Sequence, residues 1–213
     1  MTNKAQLFWD KRVKRFDDSE TQFDSDFQVI LAKTREYLNE TDTVLDFGCA
    51  TGTKTLHLAD GIRHIHGLDF SAGMISEAIK KKDKAGLVNV SFSQGTIYST
   101  DLEKAAFDKI VAYAIIHLLK DSEKAIQRIH ELLKPGGLFI SATPCFKDRM
   151  SFKTRLGFII PLFMARIGMF PLHLNMYKTS DLEQYIRNQN FNILKAETLF
   201  NGMTIDFIVA EKY

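Results

Sequence analysis

Val44-Leu45-Asp46-Phe47-Gly48-Cys49-Ala50-Thr51-Gly52 is the stretch on which the fold turns. A short β-branched and apolar run, Thr43 to Phe47, ends in Gly48, and Thr53 to Asp60 then reads as helix: strand, glycine turn, helix. Small residues at 48, 50 and 52 let the backbone pass close to a ligand. On the next strand, His64 to Leu68, the chain continues Gly67-Leu68-Asp69-Phe70-Ser71. Asp69 at the end of that strand is placed to accept hydrogen bonds from both hydroxyls of a ribose, which implies a nucleoside-containing cofactor.

Outward from this stretch the same alternation repeats. Ser71 to Lys82 reads as a helix with Ser71 as N-cap, and Val88 to Ser93 as a third strand. Phe107 to Ala114 is a nearly continuous apolar run, expected of a strand buried on both faces of a parallel sheet. Ser122 to Leu133 is an amphipathic helix, closed by Lys134-Pro135-Gly136-Gly137, which turns the chain into a fifth strand, Leu138 to Ala142. Parallel strands need helical crossovers, so five strands separated by helices predict a doubly wound α/β sheet with ligands at the carboxyl ends of its strands. A helix from Ser180 to Asn188 and two strands, Phe191 to Glu197 and Met203 to Glu211, turned by Asn201-Gly202, complete a mostly parallel seven-stranded, Rossmann-like sheet with a C-terminal antiparallel hairpin. The expected organisation is a single domain: N-terminal helices over 1–40, a cofactor-binding core over 41–145, a helical cap over 146–177, and a C-terminal helix and strands over 178–213.

Hydrophobic residues make up 45% and charged residues 25% of 213, the balance of a folded globule. Lys plus Arg number 28 against 26 Asp plus Glu, a net +2, which is no broad electrostatic footprint for nucleic acid. Two cysteines, Cys49 and Cys145, give no disulfide framework, and the charged start gives no signal-peptide core, so a reducing cytoplasm is the expected location. The longest uncharged apolar stretch, Leu156 to Ala165, is well short of the roughly 20 residues of a spanning helix.

The glycine spacing decides between nucleotides. A dinucleotide fingerprint wants glycine at the first, third and sixth positions; counted from Gly48 the chain has Gly48, Ala50 and Thr53, a poor match to NAD. Asp46 fits badly beside a pyrophosphate but suits a ligand ammonium. A cofactor with an amino-acid end, a ribose and an adenine is S-adenosylmethionine.

Here the residues resemble the class I S-adenosylmethionine-dependent methyltransferases, over about Thr41 to Ala142. Val44 to Gly52 looks like the family's first motif, Asp69 like its ribose-binding acid, and Leu133 to Gly137 like the segment before strand five. Departures are Ala50, where the family usually has glycine, and Gly95-Thr96, where an acid often holds the adenine amine. The resemblance implies a cofactor set of Asp46, Gly48, Ala50, Gly52, Asp69, Phe70, Gly95, Thr96, Ile97 and Tyr113. Within it, Phe70 lies against the adenine and Gly95 to Ile97 line its edge. It also implies methyl transfer to a small, hydrophobic or anionic acceptor. The rivals are a non-catalytic S-adenosylmethionine-binding protein, an NAD-linked oxidoreductase, and a methyltransferase acting on lipid at a membrane surface.

The acceptor belongs beyond strand four, Ala112 to Leu118. This run lacks the Asn/Asp-Pro-Pro-aromatic sequence for DNA or glutamine acceptors, and lacks acids for magnesium, so no metal is expected. His117 is its one ionisable group and the candidate base near neutral pH; the plainer alternative is a packed histidine. Pro144-Cys145 invites a cysteine-nucleophile comparison, with a strand-end residue as the alternative. Residues 146–177 combine Phe146, Phe152, Phe158, Ile159, Ile160, Phe163, Met164, Met169, Phe170 and Met176 with Lys147, Arg149, Lys153, Arg155 and Arg166. This cap is expected to enclose a hydrophobic substrate, touch a membrane surface, or pack on the sheet or a second subunit. Phe8 to Arg12 is expected to close the site from the other side. Lys80 to Lys84 reads as a solvated helix end.

Overall fold

The computed structural model describes residues 3–20, 24–166 and 173–213. Three N-terminal helices, α1 (Asn3–Asp10), α2 (Val13–Glu20) and α3 (Asp24–Arg35), precede the alternating part of the chain. There β1 (Thr43–Phe47), α4 (Thr53–Leu58), β2 (His64–Asp69), α5 (Ala72–Ala85), β3 (Val90–Gln94), β4 (Phe107–Tyr113), α6 (Ser122–Leu132) and β5 (Leu133–Pro144) follow in order. After α7 (Phe152–Arg166) and α8 (Thr179–Asn188), the chain ends in β6 (Phe191–Phe200) and β7 (Thr204–Lys212).

The strands form one sheet in the order β3-β2-β1-β4-β5-β7-β6. The first five are parallel, while β7 runs antiparallel to β5 and to β6, so the expected hairpin is present. Strand order reverses between β1 and β4, and the connections leaving their carboxyl ends diverge to opposite faces. That opens the crevice in which such sheets hold ligands.

Period fixes which face each helix buries. In α6 the buried residues Ala125, Ile126, Ile129 and Leu132 recur at three- and four-residue steps, and the Asp121 carboxylate caps its first turn by accepting from Lys124 N–H. With Leu182 and Ile186 of α8 they cover the face that carries Ile110, Ala112, Phe139 and Ile208. On the opposite face, Ile30 and Leu31 of α3 and Leu58 of α4 cover Val44, Val111, Ile140 and Phe207. Ser71 caps α5 as expected, its hydroxyl accepting from Met74 N–H at 3.1 Å.

One element differs from the sequence reading. Lys134 to Gly137 is a bulge inside β5, which begins at Leu133: Phe107 pairs with Leu133, and Lys109 already pairs with Leu138. The bulge is tied down by Lys134 Nζ, 2.8 Å from both oxygens of Asp108. A Cβ on Gly137 would stand 2.9 Å from the Lys134 carbonyl and 3.0 Å from that of Asp108, so this position demands glycine.

The cap is anchored at both ends. Its start is fastened to the β6–β7 turn by a bridge between Met150 and Met203 and by Ser151 N–H donating to the Gly202 carbonyl at 2.7 Å. Its return is fastened to the end of β4, where Asn175 N–H donates to the His117 carbonyl at 2.7 Å. Met169 and Phe170 lie outside the described residues. Among the described residues no helix is long and apolar enough to cross a membrane.

Candidate active site

The loop between β1 and α4 is laid over the end of β2. Gly48 and Cys49 N–H groups both donate to the Leu68 carbonyl, at 2.8 and 3.2 Å. Ala50 is left-handed, φ 48°, which turns its N–H onto Asp69 Oδ2 at 3.1 Å. Gly52 is left-handed as well, φ +75°, and a Cβ there would meet the Phe92 ring at 2.7 Å and Ala78 Cβ at 2.8 Å. Glycine is required at 52 by conformation and by space together.

Asp69 is the centre of this arrangement. Its Oδ1 accepts from Ser71 N–H at 2.9 Å and its Oδ2 from Ala50 N–H. Burial pushes its pKa up to about 6, against the pull of those N–H donors and with the negative charge of Asp10 adding to the rise. A carboxylate offers about four lone-pair sites. Two are taken by backbone, and one on each oxygen is left for a further donor. A vicinal diol presents two donors at that spacing, so the residues fit the ribose of a nucleoside cofactor.

The other expected cofactor residues fall into two groups. Gly95 is held beside Asp69, its N–H donating to the Asp69 carbonyl at 2.9 Å, and Thr96 N–H donates to Ser99 Oγ at 3.0 Å. Phe70 is half-buried, with its carbonyl accepting from Gln94 Nε2. Asp46 is buried, and its Oδ2 accepts from the Thr55 hydroxyl at 2.6 Å, tying β1 to α4. Two side chains turn away: Ile97 is buried in the core under α6, and Tyr113 is buried against α3 with its hydroxyl donating to Thr34 Oγ1 at 2.7 Å. At Ile97 and Tyr113 only backbone is offered to the crevice.

Sequence reading missed the residues that close the cofactor side. Asp10, at the end of α1, accepts from the Ser71 hydroxyl at 2.5 Å and from Gly73 N–H at 3.1 Å, so a carboxylate sits on the N-terminus of α5. Asp17 of α2 accepts from the Thr51 and Thr53 hydroxyls and from Lys81 Nζ at 2.6, 3.2 and 2.5 Å. Burial raises the Asp17 pKa, but the hydrogen bonds from Lys81, Thr51 and Thr53 outweigh it and hold the group below its ordinary value. Lys81 is therefore a latch between α5 and α2, not a solvated helix end. No local pattern could have shown this, since its partners lie 28 and 64 residues away.

On the acceptor side, His117 lies in a single 3-10 turn, Ile116–Leu118, and its ring meets Phe146 edge-on at 5.6 Å. Burial pulls its pKa down to about 4, which corrects the expectation of titration near neutrality: the imidazole is neutral at physiological pH. Its Nδ1 is buried without a hydrogen-bond partner among the described residues. Phe146 in turn meets Phe158 of α7 at 5.4 Å, which carries the cap onto the histidine. Cys145 is a buried thiol. Burial, with Asp206 and Asp148 adding, pushes its pKa up to about 12, so it supplies no thiolate. Asp206 itself is buried opposite Thr143, and neither of its oxygens has a hydrogen-bond partner among the described residues. Burial and the charges of Glu183 and Asp148 push its pKa up to about 7.

Residues 38–198 match the protein family described as "Methyltransferase domain". Over 155 residues the chain is 30% identical to trans-aconitate 2-methyltransferase of Deinococcus radiodurans, covering 67% of this chain and 55% of that protein. Over 99 residues it is 33% identical to phosphoethanolamine N-methyltransferase 2 of Caenorhabditis elegans, covering 45% of this chain and 22% of that one. Among solved structures, the Haemonchus contortus phosphoethanolamine N-methyltransferase 2 complex with phosphomonomethylethanolamine and S-adenosylhomocysteine superposes with a TM-score of 0.70 at 16% identity. The match covers 87% of this chain and 53% of that one, and shows the shared fold. The chain spans 22% to 66% of the length of the first curated relatives it matches.

Proposed function

This chain belongs to the class I S-adenosylmethionine-dependent methyltransferases, and on that premise we propose that it transfers a methyl group to a small hydrophobic or anionic molecule. The observation that carries the reading is Asp69, buried at a strand end with each oxygen bonded once to backbone and open once more. The cofactor, when bound, supplies a methyl group on a positively charged sulfur. Asp69 takes the ribose hydroxyls, the Gly48 to Gly52 loop closes on the amino-acid end beside Asp46, and Phe70 with the backbone of Gly95 to Ile97 borders the adenine. Asp10 and Asp17 keep α1 and α2 over that side.

What remains for the chain is alignment of the acceptor and, for a protonated acceptor, removal of a proton. His117 fits the second task as a neutral imidazole that is always in its accepting form. A buried, protonated Cys145 removes the alternative of a cysteine nucleophile. The acceptors named for the two relatives, trans-aconitate and phosphoethanolamine, both carry negative charge, and the exposed Lys147 and Arg149 at the entrance to the cap complement such charge. Isothermal titration is the test. S-adenosylmethionine and S-adenosylhomocysteine bind while NAD does not; comparable NAD binding, or none of the three binding, overturns the assignment.

A further inference from the structure

Helix α7 is built with its apolar side outward. Phe152, Leu156 and Phe163 are 82%, 59% and 61% exposed. At 3.6 residues per turn they fall within about 40° of one another around the helix axis. Phe158 projects the opposite way, where it meets Phe146, so the inner face of the helix is already occupied. The outer stripe is flanked on one side by exposed Lys153 and on the other by exposed Arg155. The helix FKTRLGFIIPLFMAR contains no acidic residue. The surface continues past the start of α7, because the β6–β7 turn is fastened there: Phe200 is 45% exposed, and the exposed Arg149 guanidinium lies 4.5 Å from its ring centroid.

We propose that this face docks on an anionic lipid bilayer, Phe152, Leu156 and Phe163 entering the interface and Lys147, Arg149, Lys153 and Arg155 meeting the lipid headgroups. An exposed apolar stripe between cations is the pattern of helices that lie in a membrane interface. Charge selects this occupant over a second copy of the chain: two such faces together would set four cations against four, whereas an anionic surface attracts each of them. The docked helix connects through Phe158 and Phe146 to His117. Docking therefore brings the acceptor side to the lipid, and this consequence rests on the methyl-transfer reading, while the docking itself stands on α7.

The full chain is sedimented with vesicles of phosphatidylcholine alone, and with vesicles in which about a third is phosphatidylserine. Binding is expected to the anionic vesicles, to fall as salt rises, and to weaken about fivefold for each cation removed in Lys153→Glu and Arg155→Glu. A Phe152→Ser, Leu156→Ser double variant should lose at least tenfold in partitioning, since each side chain takes its apolar area out of water. Both substitutions are at exposed sites, and unchanged titration with S-adenosylhomocysteine certifies that the variants are folded. No anionic preference, or double variants that sediment like the parent, overturns the docking. So does a lipid-free dimer that the Phe152/Leu156 variant dissolves, which would make the face an interface between copies. Failure of the parent to bind S-adenosylhomocysteine would instead sink the methyl-transfer reading and leave the vesicle result standing.

Discussion

Replacing Asp69 by Ala separates cofactor affinity from stability, because the two effects differ in size. Losing the carboxylate deletes hydrogen bonds from the ribose hydroxyls to a charged group, about 1.5 to 3 kcal/mol, or roughly 10- to 150-fold in Kd. For the free protein two terms oppose each other. The pKa rise from 3.8 to about 6 means that the ionised group is buried at a cost of about 3 kcal/mol, which the substitution relieves. Against this, the Ala50 and Ser71 N–H groups lose their acceptor, about 1 to 3 kcal/mol each. The net destabilisation is about 3 kcal/mol at most, a fall in Tm of no more than about 10 °C. Titration with S-adenosylhomocysteine beside a melting curve reads both. The parent adds a pH signature. A raised folded-state pKa stabilises the free protein below the ordinary value of 3.8 and loses that contribution as pH rises through about 6. Cofactor affinity runs the other way, since the accepting form is the ionised one, and weakens as pH falls through about 6. A folded Asp69→Ala protein with parental affinity would refute the ribose assignment.

His117→Ala should lower kcat by about 100-fold or more with little change in S-adenosylhomocysteine affinity, and the parent's profile should show no His117 step until pH falls towards about 4. Full turnover in the variant would reduce the ring to packing. Asp206→Asn should raise Tm above neutral pH by several degrees and leave it unchanged at acid pH, read by melting curves at both. The raised folded-state pKa means that the parent's stability is full below 3.8 and lost as pH rises through about 7. Lys81→Ala should cost about 1 kcal/mol or less globally, the worth of a partly exposed pair, while hydrogen exchange in α1 and α2 quickens as the Asp17 latch opens. Unchanged exchange there would show that the helices are held by other contacts.

Most of the sheet was legible because its signals are local. A buried parallel strand is a continuous apolar run, as in Phe107 to Tyr113, and a helix end announces itself through Ser71 or Gly86. The cofactor loop was legible for the same reason: Gly48 to Gly52 and Asp69 lie on adjacent strands of one strand-helix-strand unit. What escaped reading is non-local. Asp17 and Asp10 find partners 34 to 64 residues away, and nothing in their own windows marks them. Direction also escaped: Ile97 and Tyr113 stand at the expected positions, but their side chains obey the core and α3. The β5 bulge escaped because Pro-Gly-Gly signals a turn equally well inside a strand or before it. His117 was found by type and place, yet its protonation state follows from burial, which a sequence does not display.

The most direct measurement of the central claim is mass spectrometry of cell extract incubated with the protein and S-adenosylmethionine carrying an isotopically labelled methyl group. The account predicts labelled small-molecule products formed together with S-adenosylhomocysteine, and their absence when Asp69→Ala replaces the parent protein. Extract in which the protein demonstrably binds the cofactor, yet yields no protein-dependent S-adenosylhomocysteine and no labelled product, would contradict methyl transfer.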